Sequence, residues 1–422
     1  MPRIVISTVG VRGDLNPFIA IGNGLRARGH EVVFAVETAL RAAVADEGFG
    51  ARYLTGDVRE ALSPHLADIA GGRTPLAALR PIVSEWLTVE LRAKVEDLAA
   101  ACAGADLLIA RAGHLAAPVA AELIGLPWVQ VTMTALTVPS AHTDPRLLPL
   151  PRRAPRLVNR AAWAAIELAT RRLADPSVNR VRGGFGLPPV RNVMGRGGHS
   201  PHLTALAVSP AVSPRQPDWP TYVQATGYCL WDVPAGWREP AALTAFLDGS
   251  RPVVAVSFGS IAPWAGPAFE RLYEAAVEAI LASGAKALVI GAVAPSGERV
   301  LAISFAPFSQ VYPRCVAAIH HGGPYSAGES LRAGIPALAV PWGIDQFFSA
   351  EQLARTGAGR TRHRRKFGAA AARRDLKALL AEPAYLRSAQ SMAQRIAQED
   401  GVATLCDGIE RVLHGSHQPW RK

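Results

Sequence analysis

The stretch that most constrains the fold lies at residues 307–346, where four short patterns follow one another. An apolar run at 315–319 stops at the His-His-Gly-Gly of residues 320–323. A helical pattern at 325–333 follows, is ended by glycine and proline, and leads to a second apolar run at 337–340. Strand, glycine turn, helix and strand in this order predict a parallel α/β unit.

The glycine turn of this unit predicts a phosphate site. It comes at the carboxyl end of a strand and the amino end of a helix, which is where open α/β sheets bind ligands. Free backbone N–H groups and the helix dipole favour a phosphate at that position, and glycines let it approach closely. A histidine beside the turn supplies a further hydrogen-bond donor to a diphosphate.

The same stretch resembles the donor signature of family-one, UDP-glycosyltransferase-type enzymes with the GT-B fold. Carboxylates and amides accept hydrogen bonds from hydroxyl groups, whereas histidine and serine donate to phosphate. The resemblance therefore implies three groups of donor contacts: the diphosphate with His321, Gly322, Gly323 and Ser326, the ribose with Glu329, and the sugar hydroxyls with Asp345 and Gln346.

The resemblance has one departure and one alternative. Many bacterial relatives have Gly-Thr-Thr where this chain has Tyr325-Ser326-Ala327, so one phosphate-facing hydroxyl is missing. The alternative interpretation is that the two histidines are core polar groups and that Glu329 is a solvated helix residue.

The amino terminus predicts a second α/β unit. A strand at 3–9, a turn at 10–14, a helix at 17–28 and a strand at 31–36 form a Rossmann-like βαβ pattern. The dinucleotide fingerprint G-x-G-x-x-G is absent, because no third glycine follows Gly10 and Gly13 at the required spacing. Nicotinamide binding is therefore not expected.

Asp14 in this first turn is the main candidate for catalysis. In the family that the chain resembles, a reactive residue stands three positions before the proline that begins the first helix, here Pro17. An ordered carboxylate at that place can take a proton from an acceptor hydroxyl. The alternative role of Asp14 is to complement the helix dipole as a cap.

The residue that orients the base is left open by the sequence. Plant relatives carry an aspartate near the end of a later strand, where this chain has Arg111, Gly113 and His114. A basic group beside a carboxylate favours its ionised form and weakens it as a base. Alternatively, His114 shares the proton transfer with Asp14, so His114 is the second candidate catalytic residue.

The carboxyl-terminal half begins with a strand at 253–258. By the resemblance, Ser260 in the turn after it meets the diphosphate, and the ring of Phe305 stacks on uracil or thymine. The alternative for Phe305 is an ordinary core phenylalanine.

The predicted fold class is α/β, a GT-B fold in which two Rossmann-like domains face one another across a cleft. The expected organisation is an acceptor-binding domain at 1–232, a linker at 233–250, a nucleotide-sugar-binding domain at 251–400, and a carboxyl-terminal helix at 401–422 that crosses back to the first domain. A length of 422 residues suits two domains of ordinary size.

Charge is concentrated in the middle of the chain. The formal net charge is +11, and ten arginines at 151–200 are opposed only by Glu167 and Asp175. A basic amphipathic helix predicted at 157–173 could lie on an anionic membrane. The alternative is a surface helix that packs on the first domain with solvated arginines. No nucleic-acid-binding motif is present, so nucleic acid is not an expected partner.

A cytoplasmic location is expected, with peripheral contact at the inner face of the membrane left open. No apolar run approaches the ~20 residues that span a bilayer. The amino terminus has no signal-peptide cleavage pattern. The four cysteines lie far apart without metal-ligand spacing.

Residues 140–142 and 208–220 are similar to the rhamnosyltransferases that build rhamnolipids, which implies a hydrophobic acceptor. The predicted function is inverting transfer of a hexose or deoxyhexose from a UDP- or dTDP-sugar co-substrate to a hydroxyl of a lipid or natural product. No metal or further cofactor is expected, since no Asp-x-Asp motif occurs. The alternatives are a degenerate, non-catalytic partner protein and a nucleotide-sugar epimerase of the same fold.

Overall fold

A computed structural model describes residues 1–66, 69, 79–148, 150–151, 154–233, 237–264, 266–292, 294 and 297–415. The chain divides into two compact units. Of the described residues, the first unit contains those up to 65, 79–229 and 400–415, and the second contains 66, 69 and 230–399. Residues 234–236 of the expected linker, 416–422 of the expected last segment, and Arg152 and Arg153 lie outside the described residues.

The first unit is built on a parallel sheet whose central strands are mostly apolar and buried. Its strands are β1 Arg3–Thr8, β2 Glu31–Glu37, β3 Gly50–Leu54, β4 Leu107–Arg111, β5 Trp128–Thr132, β6 Leu203–Leu206 and β7 Val223–Ala225. Their spatial order is β3-β2-β1-β4-β5-β6-β7.

Helices cover this sheet, as continuously apolar parallel strands require. They are α1 Arg12–Ala27, α2 Arg41–Ala45, α3 Val58–Leu62, α4 Leu79–Pro81, α5 Leu91–Ala101, α6 Ala116–Ile124 and α7 Arg156–Gly184. A π-helical stretch, Ile82–Leu87, follows α4 directly.

The second unit repeats the same arrangement. Its strands are β8 Val253–Ser257, β9 Lys286–Ile290, β10 Val300–Ile303, β11 Ala317–His320, β12 Ala337–Ala339 and β13 Gly359–Thr361, in the order β10-β9-β8-β11-β12-β13. Its helices are α8 Ala241–Leu247, α9 Pro267–Ala282, α10 Phe308–Val311, α11 Pro324–Arg332, α12 Ile344–Arg355, α13 Ala369–Ala381 and α14 Pro383–Ile396.

The last helix, α15 (Gly401–Leu413), belongs to the first unit and packs against α1. The two helices approach closely at Gly24, where an added Cβ would lie 2.5 Å from a methyl of Val402 and 3.1 Å from the sulfur of Cys406. Arg28 at the end of α1 also binds Asp407 at 2.6 Å and Glu410 at 2.8 Å.

Both sheets have the strand order of a doubly wound fold, and the predicted α/β class is confirmed. The order reverses between β1 and β4 in the first sheet and between β8 and β11 in the second. In such sheets ligands bind outside the carboxyl ends of the strands at the point of reversal. Each unit therefore has one favoured place for a site, and the predicted residues occupy both.

Two helices differ from their predicted limits. Helix α1 begins at Arg12 rather than at 17, because the chain leaves β1 through Gly10 at φ +121° and an extended Val11. Helix α7 does not end near 173 but continues through Pro176 to Gly184. No helix of the described residues is long and apolar enough to cross a membrane.

Candidate active site

Asp14 lies in the first turn of α1, at the reversal point of the first sheet. Its Oδ2 accepts a hydrogen bond from the Val11 N–H at 3.0 Å, so the carboxylate caps the helix. A Cβ on Gly10 would overlap that oxygen, and the φ of +121° also favours glycine there. The cap role that the sequence left open is therefore observed, and it orients one oxygen of the carboxylate.

Arg111 orients the other oxygen. It is the last residue of β4, the strand beside β1, and its Nη2 lies 2.8 Å from Oδ1 of Asp14. The Asp14 side chain is 22% exposed and that of Arg111 is 20% exposed. The basic residue that the sequence placed near Asp14 thus forms an ion pair with it across the reversal point.

His114 lies deeper than Asp14, and its exposed fraction is 4%. Its Nε2 is 2.9 Å from the hydroxyl of Ser7, and that hydroxyl donates to the carbonyl of Ala35. The proton of the serine hydroxyl is therefore directed at the Ala35 carbonyl. Nε2 of His114 carries a proton and donates it in a hydrogen bond to the serine oxygen. Burial, together with the positive charges of Lys94 and Arg111, lowers the pKa of His114 to about 3. The imidazole is neutral at physiological pH and holds β1 and β4 together.

A small polar recess opens beside His114 at the ends of β4 and β5. It is lined in part by Gly113, Gln130, Thr137, Met194 and His199. Nε2 of His199 lies 2.9 Å from the Thr137 carbonyl, and burial lowers the pKa of this histidine to about 4. Two neutral histidines therefore line one polar recess of the first unit.

A buried polar cluster beneath the Gly10 turn was not predicted. Glu37, the last residue of β2, accepts from the indole N–H of Trp86 at 3.1 Å and from the Gly10 N–H at 3.4 Å. Lys94 donates to the Trp86 carbonyl at 3.1 Å. Burial raises the pKa of Glu37 and lowers that of Lys94. In the sequence, this cluster could have been indicated by Glu37, an acidic residue at the end of an otherwise apolar strand.

His321 occupies the reversal point of the second sheet. Its ring packs on Gly259 in the turn after β8, where an added Cβ would lie 3.0 to 3.2 Å from three ring atoms. A Cβ on Gly323 would overlap Nε2 of the same ring. Gly259 and Gly322 have φ of +91° and +77°. Glycines on both sides therefore form a slot that fixes the imidazole at the amino end of α11.

The neighbouring His320 has a different role. It is fully buried, and its Nδ1 accepts from the Gly322 N–H at 2.9 Å. Burial lowers the pKa of His320 to about 3. The first histidine of the motif therefore folds the turn, while the second lies against the glycines.

Two serines were predicted to meet the diphosphate: Ser260 precedes His321 in the sequence and Ser326 follows it. Ser326 is buried in the first turns of α11, and Ser260 is exposed in the turn that follows β8. That turn is anchored by Tyr273, whose hydroxyl accepts from the Phe258 N–H at 2.9 Å. Both serines follow a strand at the carboxyl edge where phosphate was predicted.

Phe305 is 45% exposed, so the core alternative is wrong for this side chain. Its ring centroid lies 6.3 Å from that of the buried Trp231. The Trp231 carbonyl accepts from the hydroxyl of Tyr325 at 3.3 Å. The hydrogen bond links Tyr325 of the donor motif to Trp231, which lies beside the exposed ring of Phe305. Trp231 was not among the residues predicted from the sequence.

Glu329 is 1% exposed, so it is not a solvated helix residue. Its Oε2 accepts from Nη2 of Arg332 at 2.8 Å and from Nε at 3.1 Å, and Arg332 also binds Asp232 at 2.8 Å. Burial nevertheless raises the pKa of Glu329 to about 7. The desolvation of the carboxylate outweighs the attraction of one guanidinium that it shares with Asp232.

This burial predicts a pH-dependent stability. The folded protein keeps a proton on Glu329 to a higher pH than the unfolded chain, so its free energy of unfolding falls between pH 4.5 and about 7. Glutamine does not titrate, so the Glu329→Gln variant should not show this fall. Relative to the wild type, its free energy of unfolding should rise by up to about 3 kcal/mol between pH 4.5 and about 7. Urea unfolding at several pH values measures it, with exposed Glu382→Gln as control. A constant difference between Glu329→Gln and wild type would contradict the prediction.

Asp345 and Gln346 lie in the first turn of α12. Oε1 of Gln346 accepts from the backbone N–H groups of Trp342 and Gly343 at 3.0 and 2.8 Å. The amide oxygen therefore holds the turn, and Nε2 is the group of Gln346 that remains for a hydroxyl. The described residues contain no group of three or more His, Cys, Asp or Glu side chains that could hold a metal ion.

Comparison with known proteins defines first the class and then the family. The whole chain superposes on the spinosyn forosaminyltransferase SpnP with a TM-score of 0.71, 17% identity and coverage of 98% of this chain and 99% of that one. It superposes on glycosyltransferase VinC, solved in complex with dTDP, with a TM-score of 0.69, 20% identity and coverage of 98% and 100%. The fold is that of the GT-B glycosyltransferases.

Sequence comparison identifies the family. Residues 4–126 match the N-terminal domain of glycosyltransferase family 28, and residues 270–406 match the C-terminal domain of erythromycin biosynthesis protein CIII-like proteins. The O-mycaminosyltylonolide 6-deoxyallosyltransferase of Streptomyces fradiae is 33% identical over 97% of both chains. The chain belongs to this family of glycosyltransferases, and the predicted resemblance and enzyme class are confirmed.

A second group of relatives is longer than this chain. The sterol 3-beta-glucosyltransferase of Eremothecium gossypii is 28% identical over 94% of this chain. The aligned region is only 33% of that enzyme, so this chain spans about a third of its length.

Proposed function

We propose that the protein transfers a hexosyl or deoxyhexosyl group from a dTDP- or UDP-sugar to a hydroxyl of an apolar acceptor, with inversion and without a metal ion. The second unit holds the nucleotide sugar and the first holds the acceptor. The observation that carries the proposal is the slot of Gly259 and Gly323, which fixes His321 at the amino end of α11. Such an end offers backbone N–H donors and a positive dipole to a diphosphate.

The reaction uses Asp14 as the general base. Its carboxylate takes the proton of the acceptor hydroxyl while that oxygen bonds to the anomeric carbon. The bond from this carbon to the diphosphate oxygen breaks, and the electron pair leaves with the nucleoside diphosphate. His321, the backbone N–H groups of the glycine turn and Ser260 or Ser326 stabilise the leaving charge. Attack opposite the leaving group inverts the anomeric centre, and Asp14 returns its proton to solvent.

The remaining donor contacts are those that the family resemblance implies. The exposed ring of Phe305 stacks on the base, and Glu329 accepts from the ribose hydroxyls. Asp345 accepts from the sugar hydroxyls, whereas Gln346 donates through Nε2, because its oxygen already holds the turn. His114 supports the first site from beneath, since its Nε2 bonds the buried hydroxyl of Ser7.

The relatives favour particular substrates. The Streptomyces fradiae enzyme is named a 6-deoxyallosyltransferase, and VinC was solved with dTDP. These names favour a dTDP-deoxyhexose as donor over UDP-glucose. The sterol glucosyltransferases and the tylonolide-modifying enzyme are named for sterol and tylonolide acceptors, which supports an apolar natural product as acceptor here.

Arg111 is a positioning residue in this proposal, and its replacement gives a prediction. Arg111→Met removes the guanidinium 2.8 Å from Asp14, so the carboxylate loses one of its two fixed contacts. We expect kcat to fall roughly 10- to 100-fold, as for other misplaced catalytic groups, with little change in the donor KM. Arg111→Lys should recover part of kcat. Equal losses in Arg111→Lys and Arg111→Met, or a change confined to donor KM, would contradict this role.

The proposed function is tested by turnover with defined donors. The wild type is incubated with dTDP-rhamnose, dTDP-glucose or UDP-glucose, each with a panel of sterol and macrocyclic alcohols, in buffer containing EDTA. We expect a glycoside whose anomeric configuration, read by NMR, is inverted relative to the donor. Retention of configuration, or a reaction that requires added metal, would overturn the proposed mechanism. Donor epimerisation without any acceptor would overturn the transfer itself.

A further inference from the structure

Helix α7 has apolar side chains on two opposite sides over its first half. Asn159, Ala162, Trp163 and Ile166 are buried against the first unit. The residues Leu157, Ala161, Ala164 and Leu168 are exposed, and their spacing of four, three and four places them in one row. We call this row the outer stripe.

The outer stripe is prominent for a surface feature. Leu157 is 75% exposed, Leu168 is 45% exposed, and Val158 beside the row is 38% exposed. The row extends from Leu157 to Leu168, eleven residue steps or about 16 Å along a helix. Single exposed leucines are ordinary, but an aligned apolar row bordered by charge indicates a surface that contacts something else.

The charges that border the stripe are positive. Arg156, Arg160 and Arg172 are exposed, and none of them pairs with a carboxylate among the residues that the structure describes. The two acidic residues of the helix are used elsewhere. Glu167 accepts from the Asn192 side chain at 2.8 Å, and Asp175 accepts from backbone N–H groups of the loop at 192–193. The outer side of the helix therefore carries apolar groups and unopposed arginines.

From this arrangement we propose that the outer stripe of α7 binds the surface of an anionic lipid membrane, with the helix lying in the plane of the headgroups. Apolar side chains enter the acyl boundary while arginines beside them contact anionic headgroups. A second copy of the chain fits less well, because two such stripes would bring like charges together. The contact would place an enzyme for apolar acceptors at the phase in which such acceptors concentrate.

Vesicle sedimentation of the full-length protein tests the proposal. The wild type should bind vesicles of 70% phosphatidylcholine and 30% phosphatidylglycerol at low salt, and binding should weaken with salt and without the anionic lipid. Leu157→Gln with Leu168→Gln, and separately Arg160→Gln with Arg172→Gln, should each lower the partition coefficient by roughly tenfold or more. The matched control is Arg373→Gln with Arg374→Gln, two exposed arginines of α13, which should bind like the wild type.

Three results would overturn the proposal. The first is equal binding by the wild type and both stripe variants, and the second is no binding by the wild type at low salt. The third is a wild-type dimer in sedimentation velocity that the leucine variant dissociates, since a second copy would then cover the stripe. Turnover of a water-dispersed acceptor should stay within about twofold in every variant, because the stripe lies outside the proposed active site. A failure of membrane binding can thus be told from a failure of the proposed transfer.

Discussion

Asp14→Asn is expected to lower kcat by roughly 10²- to 10⁴-fold, the range that general-base catalysis contributes. The amide cannot take a proton from an acceptor hydroxyl, but its oxygen can still accept from the Val11 N–H and cap α1. Binding of dTDP or UDP, measured by calorimetry, should be unchanged, because the proposed nucleotide contacts all lie in the other unit. The loss should therefore appear in kcat.

A second acid-to-amide change at a helix start is the control. Asp57 caps α3 by accepting from the Arg59 N–H at 2.7 Å, and Asp57→Asn should keep both cap and activity. If Asp14→Asn retained turnover near that of the wild type, Asp14 would be only a cap, and the base would have to be sought elsewhere. No turnover in the wild type, with intact nucleotide binding, would instead indicate a partner protein that has lost catalysis.

His321→Ala should weaken nucleoside diphosphate binding by roughly 10- to 100-fold, because a hydrogen bond to a charged group contributes about 1.5–3 kcal/mol. Thermal stabilisation by dTDP or UDP should shrink accordingly. Nucleoside monophosphates should be affected less, since the imidazole is proposed to meet the diphosphate. Equal affinity of His321→Ala and wild type for dTDP and UDP would exclude His321 from the donor site.

Gly323→Ala tests whether donor binding requires the imidazole of His321 to lie in its slot, since this variant keeps the histidine but should displace its ring. The new Cβ would overlap Nε2 of His321, so the ring has to leave its slot although the residue is retained. We expect a loss of nucleotide affinity similar to that of His321→Ala. Gly368→Ala is the matched control, since a Cβ there meets nothing within 4 Å. An unaffected Gly323→Ala variant would mean that the slot does not determine the donor contact.

Local sequence predicted much of the donor unit. The strand, glycine turn and helix around His321 appear where their patterns indicated, because periodicity and turn residues act over a few neighbouring positions. Exposure could not be predicted in the same way. Phe305 and Glu329 each had a core or surface alternative, and packing by distant segments placed the phenylalanine outside and the glutamate inside.

The partner of Asp14 needed the strand order. Arg111 is 97 positions away in sequence, and it reaches the carboxylate because β1 and β4 pair in the sheet. The family resemblance assigns His321 rather than His320 to the diphosphate, but the sequence does not predict how either ring is held. Only the close approach of Gly259 and Gly323 shows that His321 is the one held in the slot.

The α/β class, the two turns that carry the candidate site and the family resemblance could all be predicted from the sequence, since each depends on short motifs and local periodicity. The Asp14–Arg111 ion pair, the burial of Glu329 and the outward face of α7 became visible only in the folded chain. These depend on which strands become neighbours and which side of a helix meets the core. Such contacts between distant segments are not encoded in any one stretch of the chain.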